Sequence, residues 1–398
     1  MKRTEFLPTW HAELTAIRRD LHAHPELAYQ ETRTADKVAE LLSSWGLAVH
    51  RGLGVTGVVG TLRGQRDNGR AVGLRADMDA LPLQEANTFA HASTHKGVMH
   101  ACGHDGHTAM LLGAARHMAA DPSFEGTVHF IFQPAEEGRN GARQMVEDGL
   151  FQLFPVEAVF GMHNWPGLDV GTFAVHAGPV MASSNSFDIV VRGKGAHAAM
   201  PHLGHDPVMA TVQLAQAFQT IVSRDVDPMD PVVISVTQIH AGSANNIIPD
   251  DARLSGTVRT FSEAAIDLIE ERMEQITRLT CAAMNCTAEF SFTRLDPPTI
   301  NHAAEAAFCA QVLTELAGPG KVRQDLPASM GAEDFAYMLK ARPGCYVWIG
   351  NGDGDHRSAG HGAGPCMLHN PSYDFNDALL PLGAAYWVEL ARRWLARP

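Results

Sequence analysis

Three apolar runs in the first half of the chain are each followed at once by acidic or histidine side chains. The runs and the residues after them are 71–75 with Asp77 and Asp79, 126–132 with Glu136 and Glu137, and 158–162 with His163. Such short β-branched runs, with helix-like segments between them, are typical of buried parallel strands. Open α/β sheets bind their ligands outside the carboxyl ends of these strands. We therefore predict an αβα sandwich with a polar site at one edge of its sheet.

A fourth segment, 100–107 (HACGHDGH), places three histidines, one cysteine and one aspartate within eight residues. Imidazole and thiolate are preferred ligands of borderline-soft divalent cations such as Zn²⁺. Two glycines allow the backbone to turn sharply, and an apolar run at 108–120 predicts a helix directly after this loop. A histidine-rich loop that binds nothing is the alternative. Matching acid and imidazole groups elsewhere in the chain favour a metal site.

The candidate ligands come from four separate segments of the chain, and they are Cys102, His104, Glu137, His163 and His369. Five protein ligands exceed the four that one tetrahedral zinc uses, so two adjacent divalent ions fit better. Glu136 and Glu137 are neighbours, and on one extended segment they cannot easily serve the same role. One can ligate a metal while the other acts as a general base toward water. A surface acidic pair is the alternative, but the apolar strand before it disfavours that interpretation.

The domain organisation follows from length and element order. A chain of 398 residues favours two domains. Segment 181–297 has the order β-α-β-β-α-β, which predicts a ferredoxin-like unit, and Pro297-Pro298 marks a stiff exit. We predict a catalytic domain formed by 1–180 and 298–398, with an inserted domain at 181–297.

Composition argues against several classes of partner. The net charge is −13 without a basic cluster, which disfavours nucleic acid and anionic membranes. No stretch approaches the ~18 apolar residues of a membrane span, and no secretory signal is expected. The six cysteines have no compact framework spacing, which predicts a cytoplasmic protein with reduced thiols.

Six motifs occur in an order that resembles the M20 metallopeptidase family. They are HACGHDGH (100–107), QPAEE (133–137), GMHN (161–164), GKGAHAAMPH (193–202), GAEDF (331–335) and LHNP (368–371). Within that family, the pattern resembles the branch of N-acyl-amino-acid amidohydrolases, hippurate hydrolases and plant auxin-conjugate hydrolases. The resemblance implies a zinc-exopeptidase-like catalytic domain and an inserted domain that serves as lid and dimerisation domain.

The same resemblance implies roles for individual residues. Five positions match the dimetal ligands, namely Cys102, His104, Glu137, His163 and His369. Glu136 matches the catalytic base. His197 matches a histidine that reaches the active site of a partner subunit, which implies a homodimer. Asn246 and Arg259 resemble the contacts to the substrate carboxylate.

One motif departs from the family pattern. Much of the family has His-x-Asp where this chain has Asp77-Met78-Asp79. Asp79 is therefore expected to orient a ligand, as groups around metal sites commonly do. Zn²⁺, Mn²⁺, Co²⁺ and Ni²⁺ all remain candidates for thiolate, imidazole and carboxylate ligands.

The leading hypothesis is metal-dependent hydrolysis of the amide bond of a small N-acyl amino acid, giving a carboxylic acid and a free amino acid. A dipeptidase or aminopeptidase is the alternative within enzymes, and it would need an acidic site for a free α-amine. A non-catalytic metal-binding protein on the same fold is the alternative from another class. Such a protein has no need of Glu136 beside a ligand.

Overall fold

The computed structural model describes residues 10–356 and 366–397, and the chain forms two compact units. The first unit comprises Met1–Val180, Ile300–Pro327 and Asp334–Pro398. The second comprises Met181–Thr299 and a short return at Ala328–Glu333. We call them the catalytic unit and the inserted unit. Among the described residues, no helix is both long and apolar enough to cross a membrane.

The secondary structure of the described residues alternates strands and helices. The strands are β1 (Ala48–Leu53), β2 (Gly57–Arg63), β3 (Arg66–Asp77), β4 (Glu125–Gln133), β5 (Ala158–Pro166), β6 (Phe173–Ala174), β7 (Gly178–Met181), β8 (Ser184–Arg192), β9 (Ala196–His197), β10 (Val232–Ala241), β11 (Ile247–Ile248), β12 (Asp251–Thr260), β13 (Thr287–Asp296), β14 (Thr299–Asn301), β15 (Val322–Arg323) and β16 (Gly344–Gly352). The helices are α1 (His11–Ala23), α2 (Thr32–Ser44), α3 (His104–Ala120), α4 (Glu136–Arg139), α5 (Gly141–Glu147), α6 (Leu150–Leu153), α7 (Pro207–Thr220), α8 (Glu263–Ala283), α9 (Ala303–Ala317), α10 (Ala336–Ala341) and α11 (Leu380–Leu395). Short 3₁₀ or π turns lie at Pro201–Leu203, Ile221–Asp225 and Asp377–Leu379.

The catalytic unit is built on an eight-stranded sheet with the order β1-β2-β4-β3-β5-β16-β6-β15. Its central strands β4, β3, β5 and β16 run parallel to one another. Val72, Phe130 and Phe160 are fully buried on these strands, as expected when helices cover both faces of a parallel sheet. Helices α1, α2, α3, α9 and α11 share one apolar core with the sheet, and α5 contacts α10 and β4. The predicted αβα sandwich is confirmed.

The strand register brings the polar segments together at one edge of this sheet. Asp77 at the end of β3 is paired with Gln133 at the end of β4. On the other side of β3, Val72 is paired with Ala158 of β5, so the two strands end close together. Because parallel neighbours end at the same edge, the residues after β3 and β4 and the last residues of β5 are adjacent.

Helix α3 begins at His104, four residues before the predicted start, so the prediction that all of 100–107 is loop was wrong. The backbone turns into the helix at Gly103, whose φ is 100°. A Cβ atom there would lie 2.1 Å from Asn164 Oδ1, so only glycine fits. His104 and His107 are therefore buried within the first turn of α3. The first turn of α3 carries polar side chains at buried positions, so the apolar pattern of the sequence did not indicate that it is helical.

The inserted unit contains a four-stranded antiparallel sheet with the order β10-β12-β8-β13. Helices α7 and α8 pack on it around an apolar core that includes Ile189, Leu214 and Met273. The side chain of Asp206 caps α7, and that of Ser262 caps α8. The chain order of the main elements is β-α-β-β-α-β, so the ferredoxin-like prediction is confirmed.

Candidate active site

The structure brings the side chains of the predicted metal ligands into two overlapping groups. Ligand atoms of Cys102, His104 and His163 lie within 4.8 Å of one another, as do those of Cys102, Glu137 and His369. Cys102 Sγ is 3.3 Å from His163 Nε2, and His369 Nε2 is 3.3 Å from Glu137 Oε1. Two groups that share one member provide donors for two neighbouring cations.

Each predicted ligand is held by a different element of the catalytic unit. Cys102 lies in the loop before α3, His104 opens that helix, and His163 lies near the carboxyl end of β5. His369 adopts a left-handed backbone with φ 63°, and its N–H donates to Ala101 O at 2.7 Å. This bond ties the C-terminal segment of the site to the loop that carries Cys102.

Glu136 and Glu137 lie on a tight turn, so the expectation of an extended segment was wrong. Ala135 before them has φ 57° and ψ 40°, and Gly138 after them has φ 69°. Ligand atoms of both carboxylates lie within 4.8 Å of His104 and of each other, but their further neighbours differ. Glu137 joins Cys102 and His369, whereas Glu136 Oε2 lies 4.0 Å from His104 Nε2. Their side chains are 12% and 13% exposed, so both can be reached from solvent.

Asp79 contacts two of the predicted ligands. Its Oδ1 lies 3.2 Å from His104 Nδ1, and its Oδ2 accepts from the backbone N–H of Glu137 at 2.9 Å. The carbonyl oxygen of Asp79 is also 2.9 Å from His104 Nδ1. With Nδ1 donating to these oxygens, Nε2 is the ring nitrogen that can face a cation. That buried Nε2 has no hydrogen-bond partner among the described residues.

A buried polar network behind these groups was missed by the sequence reasoning. Asp77 Oδ1 is 2.6 Å from His107 Nδ1, and Asp77 Oδ2 accepts from Arg75 Nη1 at 2.7 Å. His107 Nε2 is 2.8 Å from Asn164 Oδ1, and Asn164 donates to the hydroxyl of Tyr373 at 2.6 Å. Arg75, a charged residue inside an apolar strand, was one available signal.

The charges around Asp77 stabilise its ionised form. Burial alone would raise the pKa of this carboxyl, but His104, His107 and the Arg75 guanidinium together lower it well below its usual range. Asp77 therefore stays a carboxylate that accepts hydrogen bonds. By accepting from His107 Nδ1, the ionised Asp77 can hold that ring in one orientation without taking up its proton.

The donor set fits divalent cations. Burial, followed by the neighbouring Glu137 and Glu136, raises the pKa of the Cys102 thiol well above its usual value, a penalty that a bound cation would relieve. Burial and the nearby His107 lower the pKa of His163, which keeps this imidazole in the neutral form that ligates metals. Burial lowers the pKa of His104, but the surrounding carboxylates, Asp77 first, outweigh burial and raise that pKa to about 10, so a cation at the unpartnered Nε2 would displace a proton.

Two other histidines, His22 and His100, lie outside the metal-type groups. His22 lies between Asp105 at 2.8 Å and Glu85 at 3.1 Å, and these carboxylates outweigh burial and raise its pKa to about 9. His100 is buried, and burial lowers its pKa to about 4. Neither belongs to the metal-type groups of the described residues. The segment 100–107 therefore does not aim all three of its histidines at one point.

The other predicted site residues lie in the inserted unit. His197 on β9 is paired with Ile247 of β11, and it lines an open cavity of about 400 Å³ together with Asn246. Both residues are exposed. Arg259 lies outside this cavity lining, on β12, where it is half-buried and donates to Ser184 Oγ. Burial lowers the pKa of its guanidinium, against the opposing charge of Asp296.

Comparison with known proteins places this architecture in one family. A sequence model described as peptidase family M20/M25/M40 matches residues 73–393. This match covers most of the chain, including the sheet edge, the inserted unit and the C-terminal segment with His369. The chain belongs to the M20/M25/M40 peptidase family.

Individual relatives agree over nearly the whole chain. A hippurate hydrolase of Campylobacter jejuni is 39% identical over 383 residues, which is 96% of this chain and 97% of the relative. A thermostable carboxypeptidase of Saccharolobus solfataricus is 40% identical over 382 residues, covering 94% and 93% of the two chains. A solved Bacillus subtilis structure, described as a dinuclear metal binding peptidase of the M20 family, matches with a TM-score of 0.83 at 34% identity, covering 98% and 99%.

Proposed function

We propose that this protein is a metal-dependent amidohydrolase that cleaves the amide bond of N-acyl amino acids. The products are a carboxylic acid and a free amino acid. The observation that carries the proposal is the convergence of a buried thiol, imidazoles and carboxylates on one sheet edge, with Glu136 beside them. The similarity to a hippurate hydrolase over nearly the whole chain supports this substrate class.

Two divalent cations would be held by Cys102, His104, Glu137, His163 and His369. When bound, they supply Lewis-acid polarisation of the scissile carbonyl and lower the pKa of water. The dinuclear description of the Bacillus subtilis relative supports the number two. Zn²⁺, Mn²⁺, Co²⁺ and Ni²⁺ are all compatible with the donor set. Asp79 orients two ligands, His104 through its ring and Glu137 through its backbone.

Glu136 is proposed as the general base and proton shuttle. Its carboxylate takes a proton from the attacking water and passes it to the departing amine. Its position next to His104 Nε2, on the same turn as Glu137, supports this role. Because Glu137 also lies beside Cys102 and His369, it is better placed to ligate, which leaves the Glu136 carboxylate to carry the proton.

Residues of the inserted unit are proposed to bind the substrate. Asn246 and Arg259 contact the carboxylate of the amino acid, for which a guanidinium offers a bidentate fork. His197 donates to the oxyanion that develops at the scissile carbonyl.

We propose further that His197 acts in the site of a partner subunit of a homodimer. Its exposed position supports this proposal, as does edge strand β10, whose last five residues are exposed. We also propose a cytoplasmic location, which is supported by the absence of a disulfide at the described cysteines Cys102, Cys281, Cys286, Cys309 and Cys345.

A second candidate is peptide hydrolysis, which the similarity to a carboxypeptidase favours. Both reactions cleave the amide that links an acyl group to an amino acid with a free carboxylate. They differ in whether the acyl part carries a free α-amine. A peptidase that acts on dipeptides needs a counter-charge for that amine, whereas an aminoacylase does not.

The experiment that tests the proposal measures amine release by the metal-loaded protein from a matched panel. N-benzoylglycine and N-acetylmethionine are compared with glycylglycine and glycylmethionine, which share their leaving amino acids but carry a free α-amine. We expect kcat/KM to be higher for the N-acyl compounds by roughly 10-fold or more, which is one buried polar mismatch. A preference for the dipeptides would assign the protein to the second candidate. Absence of release from every compound would contradict both.

A further inference from the structure

The segment between α1 and α2 contacts both acidic loops of the site. The backbone of Ala80, next to Asp79, donates to Glu26 O at 2.8 Å. The Tyr29 hydroxyl donates to Arg139 O at 2.8 Å. These contacts place residues 26–31 against the loop after β3 and against the turn that carries Glu136 and Glu137.

Glu31 is the residue of this segment that bonds the backbone at the start of that turn. It occupies the N-cap position of α2, yet its side chain makes no capping bond there. Glu26 serves the helix instead, accepting from the backbone N–H of Arg33 at 3.0 Å and of Thr34 at 2.8 Å. Here the capping work of Glu26 leaves the Glu31 carboxylate available for another partner.

That partner is the backbone of the catalytic turn. Glu31 is fully buried, its Oε1 accepts from Ala135 N at 2.8 Å, and its Oε2 accepts from Thr56 Oγ1 at 2.6 Å. Ala135 is also fully buried, and its left-handed backbone (φ 57°) is unfavourable for any residue with a Cβ atom. Such a conformation persists only where surrounding contacts determine it.

We propose that Glu31 is a positioning residue for Glu136 and Glu137, holding the Ala135 N–H and thereby the left-handed turn from which both carboxylates project. The proposal rests on the roles assigned to these two glutamates in the proposed function. Without the acceptor, the buried N–H of Ala135 would lose its partner, and the turn could relax toward ordinary right-handed backbone. Both carboxylates would then move away from His104 and Cys102 together.

A purely structural role for Glu31 explains less. Burying a carboxylate is unfavourable, and an apolar side chain would fill the same space at lower cost. Burial raises the pKa of Glu31 to about 7, so its neutral acid is populated near neutral pH. Glutamine is therefore a close substitute, because its amide oxygen can accept from Ala135 and its NH₂ group can donate to Thr56.

The test compares three variants. Glu31→Gln keeps an acceptor for Ala135, Glu31→Leu removes it at similar volume, and Thr56→Val removes only the other partner of the carboxylate. We measure kcat and KM for an N-acyl amino acid, thermal unfolding, and Co²⁺ binding by the metal-free protein through its absorption spectrum. For Glu31→Leu we expect kcat to fall roughly 100-fold, the effect of a 1 Å misplacement. We expect Co²⁺ affinity to fall roughly 10- to 100-fold, as for other groups around metal sites. Its KM should change little.

Glu31→Gln should restore both kcat and Co²⁺ affinity to near wild type, and Thr56→Val should leave both near wild type. A folded Glu31→Leu protein with unchanged kcat and Co²⁺ affinity would overturn the proposal. So would a Glu31→Gln protein as impaired as Glu31→Leu. If Glu31→Leu does not fold, Glu31→Asp replaces it, since the shorter carboxylate withdraws from Ala135 and should impair both readouts. Co²⁺ binding needs no substrate, so this test is readable even if the proposed activity fails.

Discussion

The two units of this protein bury different kinds of side chain. The catalytic unit buries full charges, among them Arg18, Arg75, Asp77 and Asp105, each at most 1% exposed. In the inserted unit, whose residues are all described, the buried polar side chains apart from Glu333 are hydroxyls and amides, and they are Ser183, Ser184, Asn185, Thr211, Thr260, Thr277 and Thr299. Its own candidate site residues His197 and Asn246 are exposed.

This difference separates two ways of building a site. Buried charges must be paired, so the network of the catalytic unit holds its side chains in fixed positions before any substrate arrives. Exposed side chains of the inserted unit would function through the substrate or the partner subunit that binds to them. Changes in the catalytic unit should therefore affect cations and chemistry. Changes in the inserted unit should affect assembly and the binding of the substrate and its developing oxyanion, while leaving the cation content unaltered.

Removing the cations should have the largest effect, because it would leave the buried donors of the catalytic unit without the ion that they fit. We expect chelation to lower activity to background and added Mn²⁺, Zn²⁺, Co²⁺ or Ni²⁺ to restore it. Elemental analysis alongside the amine-release assay checks both halves. Undiminished turnover after confirmed metal loss would contradict the proposed role of the site in binding catalytic cations.

Glu136→Gln should lower kcat by ~10² or more, since it keeps the shape of the side chain and removes its basicity. Metal content should stay near that of the wild type. Glu137→Gln is the matched control on the same turn, and it should lose metal. The opposite pattern, with metal lost from Glu136→Gln and retained by Glu137→Gln, would mean that the two roles are reversed.

His197 tests the inserted unit in the same assay. His197→Ala should be nearly inactive with full metal content, because it removes a donor to the oxyanion. Mixing it with inactive Glu136→Gln subunits should restore activity at one of the two sites of each heterodimer. The measurement is activity after subunit exchange, with heterodimers detected by differently tagged subunits. Heterodimers that form and remain inactive would assign His197 to its own chain or to no catalytic role.

Arg259→Lys should have the smallest effect, a rise in KM of roughly 10-fold, because lysine cannot reproduce the bidentate contact with a carboxylate. The rise should appear with N-benzoylglycine and be much smaller with its amide, which has no carboxylate. Michaelis curves for both compounds give the two changes in KM that are compared. Equal changes for the two would argue against a carboxylate contact at Arg259.

Site residues that lie in short motifs could be predicted from the sequence. Cys102, His104 and His163 stand beside glycines or at strand ends, and the structure places their side chains together. The parallel order of the strands followed from apolar runs, and the inserted unit followed from its alternating elements. These features depend on local patterns that one stretch of chain displays by itself.

Residues whose position depends on distant contacts could not be predicted. Glu31 contacts Ala135 across a sequence separation of 104, and nothing near Glu31 in the sequence indicates that partner. His107 appeared in the motif, but its contact with Asp77 depends on how α3 packs against β3. The start of α3 was misplaced because burial by tertiary contacts outweighed the polar character of its first turn.

Strands β5 and β16 are sheet neighbours although nearly half of the chain separates them. During synthesis, the ribosome supplies the whole inserted unit before it supplies β16. Contacts between such distant segments close late, and domains generally fold as the chain emerges. We expect the nascent inserted unit to fold first. Strand β5, which carries His163, can pair with β16 only after the ribosome has supplied β16. His369 follows β16, so cation loading should be among the last events in the maturation of this protein.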